Sequence, residues 1–304
     1  IAFAMSVVIA IRFTNTITTP LNEISREMVK VRGENPSFTF RQYKYKELNV
    51  ISQTTMKMAA EIREHMDQLE KEKRIRQEFF SNASHELKTP ITSVKGYAEL
   101  LDQGFVKDEA TNKDFIARIL KETDNMTNLI NDILMISRLE AKEAEVTYSM
   151  VRIAPLLTEI FESAEPIAAE YQVARHKECE PLIIEASAKQ LRELIMNLVS
   201  NGIKYNHPGG NVWVEISSEG SDMCIRVKDD GCGISKEDQE RIFERFYRVD
   251  KGRSKKMGGT GLGLSIVKHI VEFYGGHIGL ASTPGKGSCF TVTIPFSAEN
   301  KAKS

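Results

Sequence analysis

Apolar residues in the first half of the chain recur every three or four positions, which is the spacing of one face of an α-helix. Two narrow stripes of this kind are separated by the turn-forming run Arg32–Pro36. The first stripe consists of Ile17, Leu21, Ile24, Met28 and Val31. The second consists of Leu48, Ile51, Thr55, Met58, Ile62, His65 and Leu69. Two helices alone cannot bury such stripes, so the pattern predicts partner helices and a coiled coil.

Two longer helices are predicted next, each with its own apolar stripe. The stripe of the first consists of Phe80, Ala83, Leu87, Ile91, Val94, Ala98 and Leu101. The stripe of the second consists of Ile116, Ile119, Thr123, Met126, Ile130, Ile133 and Ser137. Residues Asp102–Asp114, which include Gly104, are expected to form the loop between them. A helical hairpin with uncovered apolar faces favours dimerisation into a four-helix bundle.

The pattern changes from about Met150 onward, where short β-like runs alternate with helical ones and glycine clusters occur. The β-like runs are Val212–Ser217, Met223–Lys228 and Ser288–Pro295. The helical runs are Ile153–Tyr171, Lys189–Tyr205, Lys236–Arg245 and Leu262–Tyr274. This alternation predicts a separate α+β domain.

The first eleven residues, Ile1–Ile11, are almost wholly apolar and are followed by Arg12. They span about half of a membrane's hydrocarbon core, which needs roughly 20 residues. A buried helix end or a cleaved signal peptide would give the same pattern. We favour the cytoplasmic end of a transmembrane helix in a fragment of a longer protein, with Arg12 at the cytoplasmic interface.

Composition narrows the class of protein further. The chain has 304 residues, of which 41% are hydrophobic and 27% charged, so about two domains are expected from length alone. The 41 basic residues nearly cancel the 42 acidic ones, which argues against a globally basic nucleic-acid-binding protein. No two of the four cysteines form a C-x-x-C pair, so a disulfide framework and a thiolate zinc site are both disfavoured.

His85 lies on the opposite side of its predicted helix from the apolar stripe. At about 100° per residue it points about 165° away from the stripe, so we expect it to face solvent. Glu86 is adjacent, and Thr89 follows one turn later. A neutral imidazole is a competent nucleophile, and a neighbouring carboxylate can accept its second ring proton. A surface histidine without a catalytic role is the alternative interpretation. Pro90 is expected to disturb the helix just beyond.

Two glycine clusters, Asp229–Ile234 and Gly258–Leu264, occur in the α+β region. Taken singly, each most simply indicates a turn. Glycines also permit close backbone approach, and the second cluster presents a helix N-terminus to anions. Neither cluster fits a P-loop or a dinucleotide-binding fingerprint.

A third motif precedes both glycine clusters and lies on a predicted helix. Glu193, Asn197 and Asn201 are spaced four residues apart and so share one helix face. Amide oxygens aligned in this way suit a Mg²⁺ ion that keeps several waters and bridges phosphates. A polar face in contact with solvent is the alternative.

These motifs, in this order, resemble a known family. Phe79–Pro90 (FFSNASHELKTP) resembles the H-box of sensor histidine kinases, and 129–140 resembles the closing helix of their dimerisation module. The helix 193–205, the two glycine clusters and 245–248 (RFYR) are similar to the N, G1, G2 and F boxes of the GHKL-type ATP-binding domain. The two N-terminal stripes, with Pro20 and Glu47-Leu48, resemble a HAMP domain.

The resemblance implies a role for each motif. His85 would accept the γ-phosphoryl group of ATP, Glu86 would be its base, and Thr89 would orient a water molecule during dephosphorylation of the partner.

Nucleotide and Mg²⁺ would be bound through Asn197 and Asn201, with Glu193 beside the ion. Other nucleotide contacts are expected from Lys204, Tyr205, Asp229, Gly231, Gly233, Arg248, Gly259, Thr260, Gly261, Leu262 and Gly263. In this set, Asp229 would bind the adenine amino group and 259–263 would close a lid over the phosphates. Between the F box and the lid lie the basic residues Arg248, Lys251, Arg253, Lys255 and Lys256. They would either face the phosphates or form a solvated mobile loop.

The whole chain is accordingly expected to be multidomain. The end of a transmembrane helix (1–13) would precede a HAMP-like all-α coiled coil (14–68). A dimeric four-helix bundle for dimerisation and phosphotransfer (69–147) and an α+β Bergerat-type ATP-binding sandwich (150–298) would follow. The implied protein is a membrane-bound bacterial sensor histidine kinase and response-regulator phosphatase. It would use ATP and Mg²⁺ as a homodimer, with a receiver domain and no nucleic acid as partner. An ATP hydrolase or chaperone, a dedicated phosphatase and a structural scaffold are the alternatives.

Two departures from the family pattern are visible in the sequence. Glu185, Ala186 and Ser187 stand where the family often has Gly-Asp, and Gly202 replaces the commoner alanine.

Overall fold

The computed structural model describes residues 1–30, 42–104, 108–140, 147–249 and 259–296. The chain divides into two compact units, Ile1–Glu78 and Phe79–Ser304. Several residues singled out from the sequence lie outside the described ranges, namely Val31, Lys251, Arg253, Lys255, Lys256 and Gly258.

The N-terminal unit begins with consecutive helical segments. Helix α1 (Ala2–Phe13) continues through a π-helical stretch (Thr14–Thr18) into α2 (Thr19–Lys30). Within it, Ala2–Arg26 is long and apolar enough to cross a membrane, by length and composition. The helix is therefore longer than the apolar run Ile1–Ile11 from which it was predicted.

Helix α3 (Lys46–Asp102) spans 57 residues and begins in the second predicted stripe. Within that stripe Leu48 and Thr55 are buried, whereas four other apolar residues remain exposed. The exposed residues are Ile51, Met58, Ile62 and Leu69. The single chain thus leaves much of the stripe uncovered, as expected for a helix that needs partners. The helix continues across Pro90, where a disturbance was expected.

Helix α4 (Glu109–Glu140) is the second arm of the hairpin and starts earlier than predicted. The loop prediction Asp102–Asp114 was wrong in its second half, because Asp108 caps the helix. Its carboxylate accepts hydrogen bonds from the backbone N–H of Ala110 at 3.3 Å and of Thr111 at 3.0 Å. An acidic side chain at this position satisfies N–H groups that have no partner within the helix.

The C-terminal domain is an α+β sandwich, as predicted. Its helices are α5 (Ile153–Tyr171), α6 (Ala188–Lys204) and α7 (Gly263–Phe273). Its strands are β1 (Ser149–Arg152), β2 (Ala174–Cys179), β3 (Ile183–Ala186), β4 (Asn211–Glu219), β5 (Asp222–Asp229), β6 (His277–Thr283) and β7 (Gly287–Pro295). The bounds of α5 match the prediction, and those of α6 and α7 differ by one residue at each end.

The larger sheet has the strand order β2-β4-β5-β7-β6, and the short strands β1 and β3 form a separate antiparallel ribbon. In the larger sheet only the β2–β4 pair is parallel. Val212, Val214 and Ile216 alternate along β4 and are buried toward the helices. The apolar face of α6, which includes Leu194 and Leu198, is buried with them in one core. This packing fixes α6 beside the end of β5.

The predicted helix Lys236–Arg245 was wrong, since only the 3₁₀ turn Arg241–Phe243 forms there. The Asp238 carboxylate accepts hydrogen bonds from the hydroxyls of Ser235 at 2.6 Å and of Tyr247 at 2.6 Å. Such local side-chain bonds compete with helix formation. Strand β2 was missed because it is polar and mostly exposed, so it lacks an alternating apolar pattern.

Candidate functional site

A cleft of about 330 Å³ opens in the C-terminal domain between α6, the end of β5 and the start of α7. Its wall is mostly apolar, which suits a flat aromatic ring. The lining residues are Asn201, Gly202, Tyr205, Asp229, Cys232, Gly233, Ile234, Ile242, Tyr247, Arg248, Val249, Leu264, Ser288 and Phe290. We call it the nucleotide cleft, because it brings together Asn201, Tyr205, Asp229, Gly233 and Arg248 from the predicted set.

Asp229 is the buried acid of the nucleotide cleft, with 8% of its surface exposed. Its Oδ1 accepts hydrogen bonds from the backbone N–H of Gly231 at 2.9 Å and of Ser288 at 3.3 Å. Burial raises the pKa of Asp229, and the two backbone hydrogen bonds act in the opposite direction. Both bonds use the same oxygen, so Oδ2 is available to accept a hydrogen bond from an amino group in the cleft.

Two glycines are required by the close approach of backbone segments around the nucleotide cleft. A Cβ at Gly231 would lie 2.5 Å from the carbonyl oxygen of Tyr205. Gly261 has a φ of +74°, and a Cβ there would lie 2.9 Å from the backbone of Phe246. A side chain at either position would push apart the backbone segments around the nucleotide cleft. These glycines therefore permit the close approach of the segments as well as the turns.

The polar face of α6 leads from the nucleotide cleft toward the start of α7. The side-chain N–H₂ of Asn197 donates to the backbone carbonyl oxygen of Glu193 at 3.0 Å and to its Oε1 at 3.1 Å. The amide oxygen of Asn197 borders Gly263, where a Cβ would lie 2.7 Å from it. Asn201, one turn later, lines the cleft itself. The shared face predicted for these residues is present.

Several predicted nucleotide contacts are not among the residues that line the nucleotide cleft, namely Glu193, Asn197, Lys204, Gly231, Gly259, Thr260, Gly261, Leu262 and Gly263. Lys204 is not among the lining residues of the nucleotide cleft, and burial lowers its pKa while the carboxylates of Asp132 and Glu170 raise it. Leu262 is fully buried, so neither its side chain nor its backbone is exposed to a ligand. Its N–H donates to Oγ1 of Thr260 at 3.2 Å.

His85 is exposed on α3, which confirms the direction predicted from the helical periodicity. The Thr89 hydroxyl, one turn later, donates to the backbone carbonyl oxygen of His85 at 3.4 Å. Glu86 is partly exposed beside it. An exposed imidazole next to a carboxylate has the access that a phosphoacceptor needs.

A second cleft of about 250 Å³ lies between the hairpin and the C-terminal domain. Its lining residues are Glu86, Thr89, Pro90, Ser93, Glu122, Asn125, Met126, Leu129, Arg248, Gly259 and Thr260. Arg248 lines both clefts. Its Nη1 lies 3.6 Å from Oε2 of Glu86, and its side chain is 10% exposed. The structure therefore brings predicted lid residues next to the predicted base.

Asp132 on α4 is a site residue that sequence reasoning missed. Its Oδ2 accepts a hydrogen bond from the Thr260 hydroxyl at 2.9 Å. Burial raises the pKa of Asp132 to about 6, the hydrogen bond from Thr260 lowers it, Glu193 raises it and Lys204 lowers it. No local signal distinguishes Asp132 from other polar residues of a helix face, because its partner is distant in sequence.

Phe79 was also missed as a contact of the C-terminal domain. The sequence placed Phe80 on the apolar stripe, yet Phe80 is 55% exposed and Phe79 is buried. The Phe79 ring lies 5.7 Å from that of Phe246, and the Arg245 guanidinium lies 5.1 Å from the Phe79 centroid. Phe79, which the stripe did not include, therefore packs on the C-terminal domain, while Phe80 stays exposed on the hairpin.

Comparison with known protein families matches both parts of this site. Residues 75–142 match the His Kinase A (phospho-acceptor) domain. Residues 186–298 match the histidine kinase-, DNA gyrase B- and HSP90-like ATPase family. The first match contains His85 and α4, and the second contains the nucleotide cleft.

Similar sequences include two bacterial sensor kinases. The sensor histidine kinase WalK of Bacillus subtilis strain 168 is 35% identical over 229 residues, which is 74% of this chain and 38% of that protein. WalK of Staphylococcus haemolyticus is 36% identical over 230 residues, 75% of this chain and 37% of that protein. The chain thus spans less than half the length of these relatives.

Solved structures show the same fold. Full-length ShkA in complex with AMPPNP has a TM-score of 0.55 and 28% identity, covering 74% of this chain and 46% of ShkA. The Acinetobacter baumannii histidine kinase AdeS has a TM-score of 0.59 and 22% identity, covering 70% of this chain and 98% of AdeS. With the phosphoacceptor hairpin and the ATPase domain matched in the same order, the chain belongs to the bacterial sensor histidine kinases.

Proposed function

We propose that this chain is an ATP-dependent protein-histidine kinase of a two-component system, which phosphorylates itself on His85. The observation that carries the proposal is the position of Arg248, which lines the nucleotide cleft with Asp229 and the second cleft with Glu86. One cationic side chain thereby connects a nucleotide site with the histidine-bearing helix.

ATP binding follows from the ATPase family match, and the cleft supports a definite orientation of the purine. The adenine ring would lie against Ile234, Ile242 and Phe290, with its amino group donating to Asp229. The phosphates would extend past Asn201 toward the N-terminal end of α7. That end favours anions because its backbone N–H groups and its dipole face them.

Mg²⁺ fits the oxygen donors on α6. Across the described ranges, no three His, Cys, Asp or Glu side chains cluster so as to hold a metal ion alone. Mg²⁺ commonly binds one or two protein oxygens together with phosphate and water. The amide oxygens of Asn197 and Asn201 would hold the ion, with Glu193 beside it. When bound, the ion would offset the negative charge of the phosphates.

The reaction forms a bond between a ring nitrogen of His85 and the γ-phosphorus of ATP. The bond from that phosphorus to the β–γ bridging oxygen breaks, and ADP leaves. The other ring nitrogen gives its proton to the Glu86 carboxylate. Arg248 stabilises negative charge on the transferred group, and most of the acceleration comes from positioning and electrostatics.

The phosphoryl group would then pass to an aspartate of a response-regulator receiver domain. The exposed position of His85 supports this step, because the same imidazole must admit a second protein. Thr89, which lines the second cleft beside Glu86, would orient water when the phosphorylated receiver is dephosphorylated. In Thr89→Ala we expect autophosphorylation to persist and receiver dephosphorylation to be lost. Equal loss of both activities would contradict this role.

A homodimer would cover the apolar residues that the hairpin leaves exposed. These residues are Phe80, Ile91, Ile116, Leu120, Ile130 and Leu134. The helix Ala2–Arg26 would anchor the protein in the bacterial cell membrane, with the remainder of this chain in the cytoplasm. The apolar stripes of α2 and the start of α3 would act as the HAMP-like relay of 14–68, ahead of functional regions 69–147 and 150–298.

Labelling with γ-labelled ATP and Mg²⁺ tests the assignment. The wild-type chain should acquire acid-labile label, and His85→Gln should acquire none. His65→Gln is the matched control, because His65 is an exposed histidine on the same helix. Label that persists in His85→Gln would refute the assignment, and so would its loss in His65→Gln alone.

A further inference from the structure

Two serines face each other across the β6–β7 ladder, beside the turn that connects the two strands. Ser282, near the end of β6, is the register partner of Ser288, near the start of β7. Residues directly opposite each other in a ladder project from the same face of the sheet. Their hydroxyl oxygens lie 2.9 Å apart. Ser288 lines the nucleotide cleft, whereas Ser282 is not among the lining residues.

The hydrogen bonds of the Ser282 hydroxyl fix the direction of both protons. Its oxygen accepts from the backbone N–H of Ile234 at 2.8 Å, and it donates to the backbone carbonyl oxygen of Gly287 at 3.0 Å. A hydroxyl has a single proton, and a carbonyl oxygen can only accept. Because the proton of Ser282 is committed to Gly287, Ser288 must be the donor in the contact between the two hydroxyls.

Gln239 holds together the two segments that meet at Ser282. Its side-chain N–H₂ donates to the backbone carbonyl oxygen of Ile234 at 3.0 Å and to that of Ser282 at 3.1 Å. The loop after β5 and the end of β6 are thereby joined through Gln239 as well as through the Ser282 hydroxyl. Groups that are already held in place need not be ordered when a ligand binds, which favours affinity.

The direction of the Ser288 proton decides what this residue offers to a ligand. Since the proton is directed to Ser282, the Ser288 oxygen meets the nucleotide cleft with lone pairs only. The backbone N–H of Ser288 donates to Oδ1 of Asp229 at 3.3 Å, which leaves Oδ2 of Asp229 as an acceptor. Acceptors from two neighbouring residues therefore border the same cleft. Such a pair suits an amino group, which carries two protons, and disfavours a carbonyl oxygen.

We propose that Ser282 is a positioning residue that sets the purine selectivity of the nucleotide cleft. By accepting the proton of Ser288, it keeps acceptors in the cleft and favours a purine with an amino group over one with a carbonyl at that position. This inference rests on the proposed function, in which the purine amino group meets Asp229. Without the Ser282 hydroxyl, Ser288 can turn its proton into the cleft and donate to a purine carbonyl.

Calorimetric titration of the full chain with ATP and with ITP, which carries the carbonyl, tests this role. The ratio of ATP affinity to ITP affinity should fall about tenfold in Ser282→Ala, the effect of about one hydrogen bond. Ser282→Thr keeps the hydroxyl, so its ratio should stay within about twofold of the wild type on the same scale. Thr283→Ala is the matched control, because it removes a hydroxyl from the next, exposed residue of β6 and should leave the ratio unchanged.

Two further measurements separate this role from a general effect on folding. In a Ser288→Ala background, Ser282→Ala should not change the ratio further, because Ser282 acts through the Ser288 hydroxyl and the two effects are not additive. At saturating ATP, the rate of labelling of His85 should be equal in Ser282→Ala and the wild type. An interaction that affects only purine binding changes KM and leaves kcat unaltered.

The outcomes distinguish this inference from the proposed function on which it rests. An unchanged ratio in Ser282→Ala, including an equal loss of affinity for both nucleotides, would overturn the role of Ser282. A fall of the same size in the Ser288→Ala background would overturn it as well. A wild-type chain that does not prefer ATP to ITP would instead overturn the proposed purine contact with Asp229, and this inference with it.

Discussion

Asp229 shows how one side chain acquires a function from its surroundings. Its place before a glycine cluster suggested a pocket, but the cleft depends on packing from several elements. One carboxylate oxygen is committed to the backbone N–H groups of Gly231 and Ser288. The other would meet a ligand as an acceptor only, which would select for an amino group over a carbonyl at that position of the purine.

Asp229→Asn should reverse that selection. The Asn carbonyl oxygen can retain the bonds from Gly231 and Ser288, while its N–H₂ replaces the acceptor. We expect ATP affinity to fall by about 10- to 100-fold, because one hydrogen bond is lost and the Asn N–H₂ faces the adenine amino group, so that two donors oppose each other. The affinity for ITP, whose purine carries a carbonyl there, should fall less. Calorimetric titration of both nucleotides checks this, and an equal fall for both would contradict the proposed contact.

Helix α6 combines two faces with separate tasks. Leu194, Leu198 and Val199 are buried in the core of the C-terminal domain, whereas Asn201 lines the nucleotide cleft and Asn197 borders Gly263 at the start of α7. Because the two faces belong to one rigid helix, the apolar packing sets the position of the amide oxygens. Stability and nucleotide affinity should therefore be coupled through α6.

Leu198→Ala should destabilise the C-terminal domain by about 2–5 kcal/mol, because the cavity left in a fully packed core collapses only in part. Urea unfolding followed by circular dichroism measures the change. Met196→Ala, at a partly exposed position on the same helix, is the control and should have a smaller effect. Equal destabilisation by the two changes would contradict the burial of this face.

The start of α4 depends on a single side chain. Asp108 accepts hydrogen bonds from the Thr111 hydroxyl and from the backbone N–H of Thr111 and Ala110, and these bonds lower its pKa. In Asp108→Ala the first-turn N–H groups lose their acceptor. Amide exchange at 110–111 should accelerate several-fold, with no change in Glu109→Ala, which keeps the cap. Unchanged exchange in Asp108→Ala would show that the cap does not hold this helix end.

At the scale of the whole molecule, docking of the C-terminal domain links the nucleotide site to the hairpin. The charged groups acting on Asp132 are Glu193 and Lys204 from α6, and Thr260 binds it from the lid segment. Undocking would return Asp132 to water and to its ordinary pKa. The docked population should consequently depend on pH.

The sign follows from the raised pKa of Asp132, about 6 against 3.8 in water. Docking is stabilised by protonation of Asp132. This stabilisation is fully present below about pH 3.8 and is lost as pH rises through about 6. Between pH 7 and pH 5 the docking equilibrium constant should rise about tenfold. Amide exchange of 260–264, corrected for intrinsic rates, reports the change. Asp132→Asn should lack this pH dependence. A pH dependence that persists in Asp132→Asn would show that another group causes it.

Local patterns predicted some elements well and others poorly. The bounds of α5 and the two faces of α6 are confirmed, because burial on one side imposes a helical period on the sequence. The helix at Lys236–Arg245 failed because the hydrogen bonds of Asp238 outweigh periodicity over a short segment. The contact of Phe79 with Phe246 in the C-terminal domain was missed because the two residues are distant in the sequence.

The sequence by itself determined the family, the order of the motifs and the outward direction of His85, since each rests on spacing within one helix or one short motif. Only the tertiary structure decided that Arg248 borders two clefts and that Asp132 holds Thr260, a partner 128 residues away in the chain. Contacts of that kind depend on how separate elements pack, and neither residue's immediate neighbours encode them.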